Sequence, residues 1–428
     1  MLMNVQKSVT RNGVRVVTST MPHVQSVAFG IWVGVGSRFE PEALGGISHF
    51  TEHLLFKGTQ RRSARDISQA IEGRGGYLNA FTSEENTCYY ARVGFNQIDP
   101  AFDVLADMYL NSDFAPAEIE KERGVIIEEI MMYRDQPRHQ VGEILMGQLW
   151  PAHPLGRPII GTEKTLKGMK HATFRRFVGE RYVPANTVVA FAGKVEHADC
   201  VARVEALLGK QRATARPATF KKVNARHAPK RTVFQQKDIE QTHLALGIRL
   251  FGVRDDRRHA LKLLSAVLGE NMSSRLFQIV REKHGLAYSV HSHIQLFHDS
   301  GALTIGAGLD RKRKTKALEL IVREIRRMRE SAVGARELRL AKDYVVGQLR
   351  LALESTSQQM MWVGENVLTR GRFIPPEETI AKLERVTAGD IQKLAQAVLR
   401  VPRMSLAIIS PDLSSSEQQK MKTALAGL

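Results

Sequence analysis

The 428-residue sequence predicts an α+β chain of two duplicated domains, each a mainly antiparallel sheet with helices packed on one face. Three observations carry that expectation. Ala28-Phe29-Gly30-Ile31 returns 217 positions later as Ala245-Leu246-Gly247-Ile248, each time in an apolar strand-like run that leads through charged turn residues into a helical pattern. Each half then shows a glycine-containing turn before an alternating run, Gly73 to Gly76 before Tyr77 to Val93 and Gly285 before Leu286 to Leu296. Strands and helices interleave, with several strands close enough in sequence to form hairpins.

Strand-like character begins at Val14-Arg15-Val16-Val17. Long amphipathic stretches follow over Ala64 to Glu72, Ala117 to Tyr133, Arg257 to Val267 and Thr315 to Glu330. The basic segment Gln211 to Arg231 holds Pro217 and Pro229, which disfavour helix. It divides the chain into an N-terminal domain (1–210), a linker (211–231) and a homologous C-terminal domain (232–428).

Composition narrows the function classes. A chain 43% hydrophobic and 25% charged is folded, which excludes disordered and collagen-like proteins. Apolar stretches such as Val188 to Gly193 are far too short to span a membrane. Two cysteines, Cys88 and Cys200, build neither a disulfide scaffold nor a four-cysteine zinc site, and point to a reducing compartment. Lys and Arg (62) exceed Asp and Glu (44), a net charge of +18 that suggests an anionic partner. The excess is spread along the chain, however. Its densest run, Lys210 to Lys237, reads as a linker, and no nucleic-acid recognition motif accompanies the charge. The first residues, Met1 to Lys7, lack the features of a secretory signal. The expectation is a cytoplasmic protein; a mature chain of the mitochondrial matrix or a related organelle reads the same way.

The sharpest local signal is His49-Phe50-Thr51-Glu52-His53, with Ser48 as the expected helix cap. On a helix His49 and His53 share a face and present two imidazoles to one cation, while Glu52 reaches a water on that cation without being a ligand. Read blandly, these are two surface histidines beside an acid. A catalytic zinc site needs a third protein ligand. The helical run Ala117 to Ile130 offers it, because Glu122 and Glu129 lie seven apart on one face. Spacing alone does not choose between Glu128 and Glu129.

Together, His49 to His53, the 76-residue step from His53 to Glu129, and Glu122-Arg123-Gly124-Val125-Ile126-Ile127-Glu128-Glu129 resemble the inverzincin (pitrilysin-type, M16) zinc metallopeptidases. Within them the resemblance is to the short-chain group containing the β subunit of mitochondrial processing peptidase and its bacterial relatives. It implies one Zn2+ per chain bound by His49, His53 and Glu129, with Glu52 as general base and Glu122 supporting the site. Gly76 to Ser83 resembles the family's substrate-binding edge strand, which implies that Asn79, Ala80 and Phe81 grip an extended peptide through open main-chain groups. Arg281 to Tyr288 resembles its arginine–tyrosine pair, implying that Arg281 holds a peptide carbonyl and Tyr288 stabilises an oxyanion. At the 217-residue offset Ala266, Gly269 and Glu270 stand where His49, Glu52 and His53 stand in the first half, so one half alone carries the metal motif.

The implied function is a zinc-dependent endopeptidase acting on unfolded peptides or flexible protein termini. Larger family members enclose peptides in a chamber of four such domains, so this chain is expected to supply half of a clamshell. It is expected to work as a homodimer, with a heterodimer containing an inactive homologue as the alternative. Two other readings stay open, an inactive structural subunit of the same fold and a basic nucleic-acid-binding protein. The basic composition departs from relatives that process basic presequences, which are expected to have an acidic chamber.

Overall fold

Strand formation follows side-chain type along the chain. Residues such as Thr187-Val188-Val189-Ala190-Phe191-Ala192-Gly193 are β-branched, aromatic or small, and all seven are buried, as suits a strand covered on both faces. The computed structural model describes residues 3–213, 218–224, 229 and 232–427. Within them the chain forms two compact units, one of Met1–Ile130, Pro158–Lys221 and Leu349–Glu377, the other of Met131–Arg157, Lys222–Gln348 and Glu378–Leu428.

The first unit holds β1 (Asn4–Val9), β2 (Arg15–Thr20), β3 (Ser26–Val33), β4 (Tyr77–Thr82), β5 (Thr87–Gly94) and β6 (Thr187–Gly193), in the order β1-β2-β6-β3-β5-β4. All its pairings are antiparallel except β2 with β6. The second unit holds β7 (Thr232–Gln236), β8 (Thr242–Leu250), β9 (Ala287–Leu296), β10 (Gly301–Leu309) and β11 (Met404–Ser410), in the order β7-β11-β8-β10-β9. Again one pairing, β7 with β11, is parallel. Apart from the extra β1, the two orders coincide strand for strand. The duplication expected from the 217-residue offset is thus present in the topology, with β3 and β8 as equivalents.

Among the helices of the first unit are α1 (Ile47–Leu55), α2 (Ala64–Ile71) and α3 (Ile98–Asn111). They precede α4 (Pro116–Asp135) and α5 (Pro137–Leu149). A helix also lies across one face of each sheet. In the first unit, Met360, Val363 and Val367 of the helix Thr356–Arg370 pack on Val17, Ala28, Trp32, Ala190 and Ala192. In the second, Val141, Leu145 and Leu149 of α5 pack on Ala245, Ala302, Ala407 and Ile409. The repeated Ala-x-Gly explains itself here. A Cβ on Gly30 would stand 3.0 Å from Met360 Sδ, and one on Gly247 would stand 2.7 Å from Leu149 Cδ1. A helix can lie this close to a sheet only over a track of small residues.

The compact units therefore differ from contiguous halves divided at 210 and 232. The α5 segment belongs to the second unit and Thr356–Arg370 to the first, because each helix buries its apolar stripe against the sheet it covers. The expected linker at 211–231 falls partly outside the described residues; its described part has no helix or strand. Within it Phe220 lies under the buried Arg38 guanidinium, 4.0 Å from the ring centroid, and Arg38 also donates to the Lys221 carbonyl and to Glu85. No helix among the described residues is long and apolar enough to cross a membrane.

Candidate metal centre

Helix α1 is preceded by Gly46 at its N-cap, whose φ of 95° suits glycine and whose Cβ, if present, would sit 2.6 Å from the Ile160 carbonyl. The expected cap, Ser48, lies inside the helix instead, with its hydroxyl buried and unpartnered among the described residues. The capping group is the Glu40 carboxylate, which accepts from the Gly46 and Ser48 amides at 2.8 Å each and places negative charge at the positive helix end. Ile47, Phe50, Leu54 and Leu55 are buried and hold α1 in place. That leaves His49, Glu52 and His53 on the half-exposed face.

Helix α4 is held by buried Ile119, Ile126 and Ile130, and by Arg123, which donates to the Leu166 and Met169 carbonyls and sits above the Phe50 ring. On this helix Glu122 is buried, Glu129 half-buried and Glu128 exposed. Of the two acids that spacing leaves open, Glu129 is the one this rotation brings beside the histidines. Among the described residues, His49, His53 and Glu129 form the one group whose ligand atoms all lie within 4.8 Å of one another.

Glu129 Oε2 is 3.9 Å from His49 Nε2 and 3.7 Å from His53 Nε2. Two ligands held tetrahedrally at roughly 2.0–2.2 Å from one zinc stand about 3.4 Å apart, so both Glu129 separations lie within about half an ångström of the spacing one ion imposes. Burial, and secondarily the neighbouring His53, push the His49 imidazole down to about 3, so it is neutral at physiological pH as a ligand must be. The other ring nitrogen of His53, Nδ1, lies 3.2 Å from Glu122 Oε2, and Lys57 Nζ lies 2.9 Å from Glu122 Oε1. By contrast, His49 Nδ1 is buried without a hydrogen-bond partner among the described residues.

Glu52 stands beside the triad and accepts a 2.5 Å hydrogen bond from Thr82 Oγ1. Burial raises its carboxyl above the ordinary value, against the Thr82 hydrogen bond and the charge of His53, with Glu129 adding to the rise. Thr82 ends β4, and β4 is the outer strand of its sheet. Asn79 and Ala80 lie on this open strand, where the Ala80 amide donates to Asn79 Oδ1 at 2.7 Å and Asn79 Nδ2 donates to the Tyr77 hydroxyl. Phe81 instead packs edge-on against Trp32, 5.6 Å between ring centroids.

In the second unit Arg281, within the helical segment Phe277–Lys283, holds its guanidinium 4.7 Å from the Phe277 ring and 5.9 Å from the Tyr288 ring. Tyr288 is the second residue of the outer strand β9. It is 78% exposed, and it lines a cavity of about 650 Å³ with Gln241, Asp310 and Lys312. The positions equivalent to the metal motif are built differently. A Cβ on Gly269 would meet the Ser292 amide nitrogen at 2.8 Å, and Glu270 is paired with Lys262.

Comparison with known proteins matches the sequence model described as "Insulinase (Peptidase family M16)" over residues 15–163 and that of the "Peptidase M16 inactive domain" over residues 169–345. An uncharacterized zinc protease of Mycobacterium leprae (strain TN) is 39% identical over 405 residues, covering 93% of this chain and 90% of that protein. The chain belongs to peptidase family M16. A second relative, the uncharacterized zinc protease YmxG of Bacillus subtilis (strain 168), is also 39% identical, covering 95% of this chain and 98% of that one. Among solved structures, a protease from Helicobacter pylori has the same fold, with a TM-score of 0.89 at 21% identity over 96% of this chain and 100% of the other. The M16 membership accords with the α+β architecture and with a zinc protease as the coarse activity of the relatives.

Three further residues around the candidate centre are not signalled by the sequence. Glu40 and Lys57 approach across turns that no helical period describes. Thr82 lies within the edge-strand segment, but no spacing rule links it to Glu52 thirty positions earlier.

Proposed function

We propose that this chain is a zinc-dependent endopeptidase that cleaves unfolded peptides and flexible protein termini. The observation that carries the reading is the convergence of His49, His53 and Glu129 beside a Glu52 carboxylate tied to the end of an open-edged strand. Zinc held by that triad supplies Lewis acidity that lowers the pKa of water towards about 7 and polarises a carbonyl. Glu52 accepts the proton of the attacking water and returns it to the leaving amine. The open side of β4 receives the peptide as an added strand, gripping its main chain at Asn79, Ala80 and Phe81 whatever its sequence. Arg281 holds a substrate carbonyl, and the exposed Tyr288 hydroxyl donates to the oxyanion that develops on the scissile carbonyl. Each chain carries both the metal triad and the arginine–tyrosine pair, so a homodimer sharing them is self-sufficient. The peptide is enclosed during cleavage, which selects for unfolded chains, and the protein works in the cytoplasm.

The test combines metal analysis with a fluorogenic unstructured peptide. Cleavage by the parent protein is expected to stop with a chelator and return with zinc. Glu52→Gln is expected to keep one zinc per chain while losing cleavage by about 10²-fold or more. A Glu52→Gln protein cleaving at the parent rate, or a parent that binds no zinc, overturns the reading.

A further inference from the structure

Lys57 follows α1 immediately, one residue beyond its C-cap Phe56, where its amide donates to the Leu54 carbonyl. Its ammonium reaches Glu122 Oε1 at 2.9 Å, while Glu122 Oε2 faces His53 Nδ1 at 3.2 Å. The carboxylate so bracketed is only 2% exposed. Among the described residues each oxygen has one such partner, and the two come from the same short stretch of chain, four residues apart.

We propose that Lys57 is a positioning residue for the metal centre: it fixes the Glu122 carboxylate so that Glu122 in turn fixes His53 with Nε2 towards Glu129. This rests on the zinc reading above and assigns a role within it to a residue outside the metal motif. A carboxylate can only accept, so the proton of this contact sits on His53 Nδ1 and the Nε2 lone pair is left for a metal. With Lys57 bound to Oε1, the carboxylate cannot rotate away from His53 without breaking the ammonium contact. The dependence is concentrated on this chain of contacts because His49 has no comparable hydrogen bond to orient it among the described residues. Groups one step removed from the ligands commonly set metal affinity by 10- to 100-fold.

The sign of the effect makes the proposal testable. A cation near a cation site repels the metal, so if Lys57 acted by charge alone, its removal would tighten zinc binding. Positioning predicts the opposite. Zinc affinity of the metal-free protein is measured by competition with a chromophoric chelator for the parent, Lys57→Met, Lys57→Arg and Glu122→Gln, and for Lys57→Met combined with Glu122→Gln. Circular dichroism of each metal-free protein checks folding, and Lys57→Gln stands in if Lys57→Met does not fold. Lys57→Met is expected to weaken zinc by about 10-fold. Lys57→Arg is expected to stay within about threefold of the parent, because it keeps a cationic donor. In the Glu122→Gln background the loss from Lys57→Met should vanish, since the lysine acts through that carboxylate. Unchanged or tighter binding in Lys57→Met overturns the proposal, as does an equal loss in the Glu122→Gln background. A parent that binds no zinc sinks the metal reading instead, and that result is distinct from either.

Discussion

Thr82 Oγ1 donates a hydrogen bond to Glu52 Oε2 at 2.5 Å, joining the last residue of the open strand β4 to the acid of the His49–His53 helix. The proposed base is thereby held by the strand proposed to carry the substrate. A hydrogen bond to a charged group contributes about 1.5–3 kcal/mol, and 1.4 kcal/mol is a factor of ten in rate. Thr82→Val is therefore expected to lower kcat about tenfold with little change in KM or zinc content, and Thr82→Ser to restore most of it. Steady-state kinetics with metal analysis checks this. Equal losses in the Val and Ser variants would show that the hydroxyl is not what matters.

Asp107 of α3 anchors the turn after α1. Its buried carboxylate accepts from Thr59 Oγ1 at 2.7 Å, Arg62 at 2.6 Å, Asn111 at 2.8 Å and Arg61 Nε at 3.1 Å. Burial alone would push this carboxyl up; the hydrogen bonds from Thr59, Asn111 and Arg62 and the charge of Arg61 outweigh it and hold the group below the ordinary aspartate value. A folded-state value below the unfolded one contributes stability that is present at neutral pH and lost as pH falls through the depressed value. Urea unfolding between pH 7 and 3 should show stability declining over the acid end. Asp107→Asn should cost about 3 kcal/mol at pH 7 and flatten that decline. An unchanged acid slope in the variant would remove Asp107 as its source.

The parts of the site that could be read from sequence are those set by a local period. The four-residue step from His49 to His53 and the seven-residue step from Glu122 to Glu129 are helix geometry, and α1 and α4 are both helical there. The choice of Glu129 over Glu128 depends on how α4 is rotated by Ile119, Ile126 and Ile130, and only packing determines that rotation. Capping failed for a related reason. The rule looks at the residue beside the helix, whereas Glu40 reaches back from six residues before Gly46. Neither α5 nor Thr356–Arg370 is among the amphipathic stretches read from the sequence, and which sheet each covers is decided by packing, so the compact units cross the boundary at 210.

The repeat itself yields a prediction about packing. Gly247 faces Leu145 and Leu149 so closely that an added Cβ would have to displace a leucine side chain. Gly247→Val is expected to destabilise the second unit by about 1–3 kcal/mol through overpacking. Gly30→Val should do the same to the first, against Met360 Sδ at 3.0 Å, though less, because methionine is flexible. Thermal melts of the two variants check both the losses and their order. A melt of Gly247→Val that coincides with the parent's would mean that α5 shifts away at no cost.

Ala80 sits in the middle of β4, and its amide donates to Asn79 Oδ1 of its own strand. The contact occupies a donor that an incoming peptide strand is proposed to use, with the Asn79 side chain as its stand-in. Proline at 80 removes that donor and is tolerated on sheet edges where the lost N–H faces away from the ladder. One main-chain hydrogen bond contributes about 1 kcal/mol net, so Ala80→Pro is expected to raise KM for an unstructured peptide about fivefold while leaving zinc content unchanged. Because Thr82 remains in place to hold Glu52, kcat should stay within about twofold. An unaltered KM in a folded Ala80→Pro protein would mean that substrate does not pair with this strand at Ala80, and the binding mode would have to be sought on another surface of the unit.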